Sequence, residues 1–274
     1  MTEEEIRQRI QNGREFMKMP NEQDTEDGYQ TDQQQKKVQP PLYKEPCGGA
    51  ITQLPEEFQL LELKNDILEV LYKRKSSRVY TGQPMSLLQL SFLLWAQQGV
   101  KTIRGNNYAT IRTVACGGAR HEFECYIAVQ NVEGLTPGYY HYMPDLHAVE
   151  LIEEKKDMTG DIHESLCEQA WAVKANVVFY YSIIPYRAEW RYGIYAHRTA
   201  LMDAGHITEN LYVAASAAGV GTCAIASIET DCSNVMFHLE GKEEFIFYAA
   251  PAGMISEGNK EEEDAFYAFL KEDR

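Results

Sequence analysis

The spacing of hydrophobic residues predicts a mixture of helices and strands along most of the chain. Apolar positions at helical spacing predict helices over residues 3–18, 62–74, 86–97, 161–173, 197–218 and 230–239. Apolar runs rich in β-branched and aromatic residues predict buried strands over residues 123–130, 176–184, 222–228 and 244–250. Residues 138–142 and 148–153, separated by Pro144-Asp145, are typical of a hairpin.

This order of elements defines a fold class, because strands and helices do not alternate as they do in parallel α/β folds. We predict an α+β fold with a central, mainly antiparallel sheet covered by helices. The 274 residues, 44% of them hydrophobic, can bury one sizeable core. We predict a helix and polar arm at residues 1–60, one main domain at 61–258, and an acidic tail at 259–274. The arm's polar part, residues 20–46, either lies on the body or a partner subunit or forms a disordered tail.

The net charge of −15 excludes some classes of partner. It argues against a nucleic-acid ligand, which requires a basic surface, and against binding to anionic membranes. No apolar stretch approaches the ~20 residues that span a bilayer. The N-terminal MTEEEIRQRI is too polar for a signal peptide, and the six cysteines form no CxxC pair. We therefore expect a cytoplasmic protein with reduced thiols.

A basic cluster stands out in this acidic chain. Four cations and two hydroxyl groups fall within residues 73–78: Lys73, Arg74, Lys75, Ser76, Ser77 and Arg78. Guanidinium, ammonium and hydroxyl donors together suit a phosphate dianion. Cations at the end of the 62–74 helix could equally complement the helix dipole. The spacing alone leaves both interpretations open.

Residues 219–224 (GVGTCA) match the G-x-G-x-x-A dinucleotide fingerprint, but in the wrong context. That fingerprint requires a strand before the loop and a helix after it, whereas here a predicted helix precedes and a strand follows. We therefore expect Gly219 to end the helix in a left-handed conformation. The glycines could also let the backbone pass close to a flat ligand.

Two further groups of polar residues are candidates for chemistry. Asp203, His206 and Asn210 share one face of an otherwise apolar helix, where they form either a site or a satisfied polar network. A Cys116/His121 nucleophile pair is conceivable, but the sequence offers no third member. The segment His121–Cys125 lacks zinc-ligand spacing, so we predict no metal centre.

Taken in order, several segments resemble the nitroreductase superfamily, and most closely its SagB-like branch, which includes thiazoline/oxazoline dehydrogenases. The segments are 74–80 (RKSSRVY), 87–96 (LLQLSFLLWA), 118–121 (GARH), 131–135 (NVEGL) with 137–140 (PGYY), 201–206 (LMDAGH) with 210–212 (NLY), and 219–225 (GVGTCAI). The chain departs from the family's pattern at three places. Ala115-Cys116 replaces a Pro-Ser pair, Glu122 replaces a proline, and Met254 stands where many relatives have a basic residue.

The resemblance implies a nitroreductase-like fold and an obligate homodimer with FMN at the subunit interface. Three groups of residues would hold the cofactor. The phosphate and ribityl chain would contact Arg74, Lys75, Ser76 and Arg78. The isoalloxazine ring would be lined by residues 115–119, which include Cys116, Gly117, Gly118 and Ala119. The ring's other side would meet residues 219–224, which include Gly219, Gly221, Thr222 and Cys223.

The resemblance also implies a reaction. We expect an FMN-dependent oxidoreductase that moves hydride between NAD(P)H or an organic substrate and a small-molecule acceptor. Azoline-oxidising relatives share a Lys-Tyr pair proposed to act on the substrate, and Arg191-Tyr192 is the corresponding catalytic candidate here. Arginine stays protonated and cannot act as a general base. The alternatives are an azoline dehydrogenase of a peptide-modifying system and a non-catalytic dimeric scaffold. The alternative role for Trp190, Arg191 and Tyr192 is a packing patch at an interface.

Overall fold

A computed structural model describes residues 1–18, 28–256 and 260–268 of the chain. Its strands are β1 (Ile51–Gln53), β2 (Val100–Arg104), β3 (Ala109–Arg112), β4 (Phe123–Val129), β5 (Gly138–Met143), β6 (Ala148–Glu154), β7 (Val177–Ile183), β8 (Val220–Thr222) and β9 (Phe245–Met254). Seven of them form one sheet in the order β1-β6-β5-β4-β7-β9-β8, and β2 and β3 form a separate hairpin. Every neighbouring pair in the sheet is antiparallel.

Helices cover both faces of this sheet. They are α1 (Glu3–Phe16), α2 (Ile67–Lys73), α3 (Leu87–Gln98), α4 (Thr159–Ser165), α5 (Pro185–Tyr192), α6 (Ala196–Ala217), α7 (Thr230–Met236) and α8 (Lys260–Phe266). On one face, Leu94 of α3 and Leu211 of α6 pack against Ile127 of β4. On the other, Ile162 of α4 and Met236 of α7 pack against the opposite side chains of the same strands. The α+β prediction is therefore confirmed.

Several element boundaries differ from the sequence prediction. The helix predicted over residues 161–173 ends at Ser165, because Cys167 and Glu168 adopt left-handed backbone angles with φ of 52° and 62°. The strand predicted over 222–228 ends at Thr222, beyond which one isolated bridge joins Ile225 to Ala249. Two elements were not predicted from the sequence: the β2–β3 hairpin, and helix α5, which begins at Pro185 directly after β7.

The described part of the predicted polar arm, residues 28–46, lies on the body of the same chain. The backbone N–H of Gln33 donates to the carbonyl of Trp190 at 2.8 Å, and the indole of Trp190 donates to the Lys37 carbonyl at 3.1 Å. Farther along, Lys44 pairs with Glu244. Residues 20–27 of the arm lie outside the described residues.

A buried ion pair joins the sheet to α5. Arg187 donates to Glu124 of β4, His141 of β5 bonds the other carboxylate oxygen at 3.0 Å, and each side chain is at most 4% exposed. Burial alone would raise the pKa of Glu124. Arg187 and His141 outweigh burial and hold that pKa below its usual range. Helix α5, which carries Arg191 and Tyr192, is thereby fixed to the core.

We expect Arg187→Met to lower the free energy of unfolding by about 3–5 kcal/mol, because it leaves Glu124 buried without its cation. Arg7→Met is the matched control, since Arg7 pairs with Glu3 on α1 with 69% and 88% of the two side chains exposed. A surface pair of this kind contributes about 1 kcal/mol or less. Urea unfolding of both variants measures the difference, and an equal effect would contradict a structural role for the buried pair.

Candidate functional site

A cavity of about 450 Å³ lies between the end of α2, the C-terminal half of α6 and strand β8. Four cationic side chains contribute to its lining: Lys64, Lys73, Arg74 and Lys75. Its other walls include Ser77, Tyr212, Ser216, Gly219, Val220 and Thr222. The basic cluster and the glycine-containing turn, far apart in sequence, are thus neighbours in the fold.

Hydrogen bonds to β8 hold the basic segment in an extended conformation. Helix α2 ends at Lys73, and the backbone N–H of Ser77 donates to the Thr222 carbonyl at 2.9 Å. The Tyr80 hydroxyl then reaches the Pro251 carbonyl of β9 at 3.2 Å. The segment after α2 therefore runs along the edge of the sheet, with Arg74 and Lys75 facing the cavity.

Two glycines shape the opposite wall. Gly219 follows the last turn of α6 with φ of +69°, the left-handed helix ending predicted from the sequence. A Cβ at Gly221 would lie only 2.6 Å from the Ser77 Cβ, so glycine allows β8 and the basic segment to approach closely.

Tyr212 was not identified from the sequence, although it lies at the centre of this site. Its hydroxyl accepts the Ala224 backbone N–H at 2.8 Å and lies 3.1 Å from Ser76 Oγ. The Arg74 guanidinium lies over its ring at 5.3 Å from the centroid. The available signal was the pair Tyr212 and Ser216, two polar groups one helical turn apart before Gly219.

Helix α8 lies against the same basic segment. Glu263 pairs with Lys75, and Arg78 donates to the Tyr267 hydroxyl at 2.7 Å. The Arg78 guanidinium also stacks at 5.5 Å from the centre of the Trp171 ring. Arg78 therefore contacts aromatic groups beside the cavity, whereas Arg74 and Lys75 line it. Two other predicted cofactor contacts are not part of the cavity lining. Ser76 bonds to Tyr212, and Cys223 is buried.

The remaining predicted site residues form a second group at the start of α6. The Gly117 N–H donates to Asp203 Oδ2 at 2.8 Å. A Cβ on Gly118, whose φ is +57°, would lie 2.5 Å from both Arg191 Nε and the Tyr192 hydroxyl. Arg191 itself donates to the Tyr108 hydroxyl at 2.6 Å. The candidates Gly117, Gly118, Arg191 and Tyr192 are thus close together.

The two groups do not meet within one chain. Asp203 contacts the second group and Ser216 lines the cavity. Tyr212, nine residues after Asp203 on the continuous helix α6, also lines the cavity, so the two groups lie about 14–20 Å apart along the helix at 1.5 Å per residue.

Burial changes the acid–base properties of residues 116–122. It lowers the pKa of His121 to about 3, and the His121 ring bonds to the Thr110 carbonyl at 3.1 Å rather than to Cys116. Burial, together with the neighbouring Asp203 carboxylate, raises the pKa of Glu122 to about 7. Burial also raises the pKa of the Cys116 thiol. A Cys116/His121 nucleophile pair is therefore not formed in this structure.

Comparison with known proteins identifies the family. The model of the nitroreductase family matches residues 71–254, more than half of the chain. The chain therefore belongs to the nitroreductase family, as its segments predicted. A nitroreductase-family relative from Methanocaldococcus jannaschii is 31% identical over 172 residues, which cover 62% of this chain and 84% of the relative.

Solved structures confirm the fold. A nitroreductase-family structure from Ralstonia eutropha has a TM-score of 0.61 at 22% identity, covering 80% of this chain and 96% of that one. One from Anabaena variabilis has a TM-score of 0.63 at 20% identity and covers 85% of this chain, which spans only 50% of that protein. The E. coli microcin synthetase complex McbBCD, bound to truncated pro-MccB17, contains a chain with a TM-score of 0.56 at 16% identity, covering 93% of this chain and 95% of that one.

Within residues 1–18, 28–256 and 260–268, no helix combines the length and the apolar character needed to cross a bilayer.

We expect Gly118→Ala to lower the free energy of unfolding by about 1–2 kcal/mol from the left-handed backbone alone. The new methyl group would also displace Arg191 and Tyr192. Gly160→Ala in α4 is the control, because a Cβ there meets no atom within 4 Å. Thermal unfolding compares the two, and equal midpoints would show that the turn at Gly118 tolerates a side chain.

Proposed function

We propose that this protein is an FMN-dependent oxidoreductase that transfers hydride between NAD(P)H or an organic substrate and a small-molecule acceptor. The observation that carries the proposal is the cavity in which four cations converge beside close-approaching backbone, in a chain with a net charge of −15. Its volume of about 450 Å³ lies within the usual range for small-molecule sites.

The donors of the cavity fit the phosphate end of FMN. Within the described ranges, Lys73 and Lys75 pair with Glu69 and Glu263, whereas no ion pair is recorded for Arg74 or Lys64. A guanidinium without a carboxylate partner, beside ammonium groups, is suited to binding a phosphate dianion. Arg74 and Lys75 would bind the phosphate, and the Tyr212 hydroxyl would hold Ser76 and the Ala224 backbone in place.

The flavin ring requires a second subunit. The ring-lining candidates at 115–119 are too far from the cavity of their own chain, so we propose a homodimer in which they face the partner's cavity. Exposed apolar residues on α2 and α6 supply a contact surface, among them Leu68 (75% exposed), Leu71 (52%), Leu201 (47%) and Met202 (47%).

When bound, the flavin would supply the hydride chemistry. The protein's residues would orient it and limit access of water. The neighbouring Tyr192 raises the pKa of Arg191 above the usual arginine value, so its guanidinium can orient a substrate but cannot accept a proton. An arginine that cannot accept a proton argues against the azoline dehydrogenase alternative. The support for that alternative is the SagB-like resemblance and the shared fold. All six cysteines are free thiols.

The first test is the affinity for FMN relative to riboflavin, which lacks the phosphate. We expect Arg74→Ala to weaken FMN binding about 10- to 100-fold, because a hydrogen bond to a charged group contributes about 1.5–3 kcal/mol. Riboflavin binding should change little. Quenching of flavin fluorescence during titration measures both affinities.

Arg104→Ala is the matched control, since Arg104 is an exposed arginine on β2, away from the cavity. Equal losses of FMN and riboflavin binding in Arg74→Ala would show that Arg74 does not contact the phosphate. A purified protein that stays colourless after incubation with FMN would contradict the proposed function. Bleaching of bound flavin by NADH or NADPH without air would identify the electron donor.

A further inference from the structure

Three potential metal ligands meet at the turn that precedes β4. One ligand atom from each of Cys116, Glu122 and Asp203 lies within 4.8 Å of those of the other two. Cys116 and Glu122 are two of the positions at which this chain departs from the nitroreductase pattern. They are six residues apart in sequence, yet the Cys116 thiol donates to Glu122 Oε2 at 3.3 Å.

Glu122 has one buried carboxylate oxygen that no described group donates to. The residue is 1% exposed, and its Oε1 has no hydrogen-bond partner among the described residues. The neighbouring carboxylate of Asp203 is 4% exposed. Two buried carboxyl groups side by side, one with an unsatisfied oxygen, need a proton or a cation between them.

The backbone and a histidine already hold the other two ligands in place. Cys116 Sγ accepts the His121 backbone N–H at 3.0 Å, which fixes the position of the sulfur. Asp203 accepts the Gly117 N–H and lies 3.2 Å from His206 Nδ1. Outer hydrogen bonds of this kind orient metal ligands before the ion arrives.

The shape of the turn brings the ligands together. Gly118, Ala119 and His121 all have positive φ, at 57°, 54° and 48°. These left-handed residues turn the chain back, so that residues 116 and 122 face each other across it. Asp203 reaches the same point from α6, far along the sequence. The three ligands therefore form no local sequence motif, and the sequence predicts no metal centre.

We propose that Cys116, Glu122 and Asp203 bind a Zn²⁺ ion, with a water molecule as fourth ligand. One sulfur and two carboxylate oxygens suit zinc, whereas Mg²⁺ and Ca²⁺ prefer oxygen ligands alone. Bond lengths of about 2.3 Å to sulfur and 2.1 Å to oxygen place two ligands about 3.6 Å apart on a tetrahedral ion. The distance of 3.3 Å between Cys116 and Glu122 is close to this separation. Binding would release the thiol proton of Cys116 and any proton held by Glu122.

The test measures zinc retained by the full-length protein. The chain is treated with a chelator, incubated with Zn²⁺ alone, desalted, and analysed for metal and protein. We expect about one zinc per chain, and at least about a 10-fold loss of affinity in Cys116→Ser and in Glu122→Gln. Cys167→Ser is the control, because Cys167 also lies beside a carboxylate, 3.7 Å from Glu229 Oε1, and belongs to no three-ligand group in the described structure.

Co²⁺ substitution tests the sulfur ligand directly. We expect a thiolate-to-cobalt charge-transfer band in the unmodified protein and in Cys167→Ser, and its loss in Cys116→Ser, with circular dichroism to show that each variant is folded. If the unmodified protein retains no zinc, or both ligand variants retain it fully, the proposal is wrong and Glu122 and Asp203 share a proton instead. This readout does not depend on flavin binding, so it can fail while the proposed function stands.

Discussion

The hydrogen bond from the Ser77 backbone N–H to the Thr222 carbonyl determines where the basic cluster lies. It attaches the segment after α2 to the last strand of the sheet, next to the left-handed Gly219 that ends α6. Without this attachment, Arg74 and Lys75 would be cations at a helix end, the simpler interpretation of the sequence. With it, they line one cavity together with Tyr212 and Ser216. Close packing of Gly221 on Ser77 makes the attachment possible, because any larger residue would separate the two segments.

The sequence predicted those parts of the fold that depend on local patterns. Buried strands such as β4 and β7 read as continuous apolar runs, and the left-handed Gly219 followed from an apolar helix that meets a glycine. The errors have local causes too. Cys167 and Glu168 stop a helix without proline or glycine, so composition gave no warning. Helix α5 was missed because it is only eight residues long and its buried face includes Arg187, a residue that a sequence pattern assigns to the surface.

The candidate site likewise contains residues that the sequence pointed to and residues that only the fold brings together. Arg74, Lys75, Gly219 and Thr222, which the sequence singled out as candidate cofactor contacts by charge and glycine content, line one cavity. Arg78 belongs to the same cluster in sequence, but its guanidinium is drawn to Trp171 and Tyr267 instead. Such a choice depends on which aromatic rings lie nearby, and Trp171 and Tyr267 are distant in sequence. Tyr212 was missed for the same reason, because its partners come from two segments that are distant from it and from each other in sequence, 74–76 and Ala224.

Two neighbouring glutamates show how strongly surroundings decide the state of a buried carboxyl group. Glu124 has Arg187 and His141 as partners, and its pKa is held low. Glu122 faces Asp203 and a thiol, and its pKa rises to about 7. The first group fixes α5 to the sheet as a permanent ion pair. The second retains an unsatisfied oxygen, which is why it, and not Glu124, is a candidate for binding chemistry.

Helix α8 has a consequence for any anion that enters the cavity. Lys75 already has a carboxylate partner in Glu263, so an incoming anion exchanges with that carboxylate instead of meeting a bare ammonium group. Exchange of this kind is reciprocal: whatever stabilises the docked chain end lowers the anion's apparent affinity, and a bound anion loosens the chain end by the same free energy. The C-terminal segment therefore competes with an anion for Lys75. The effective concentration of Glu263 at Lys75 depends on the length of chain that connects α8 to the rest of the protein.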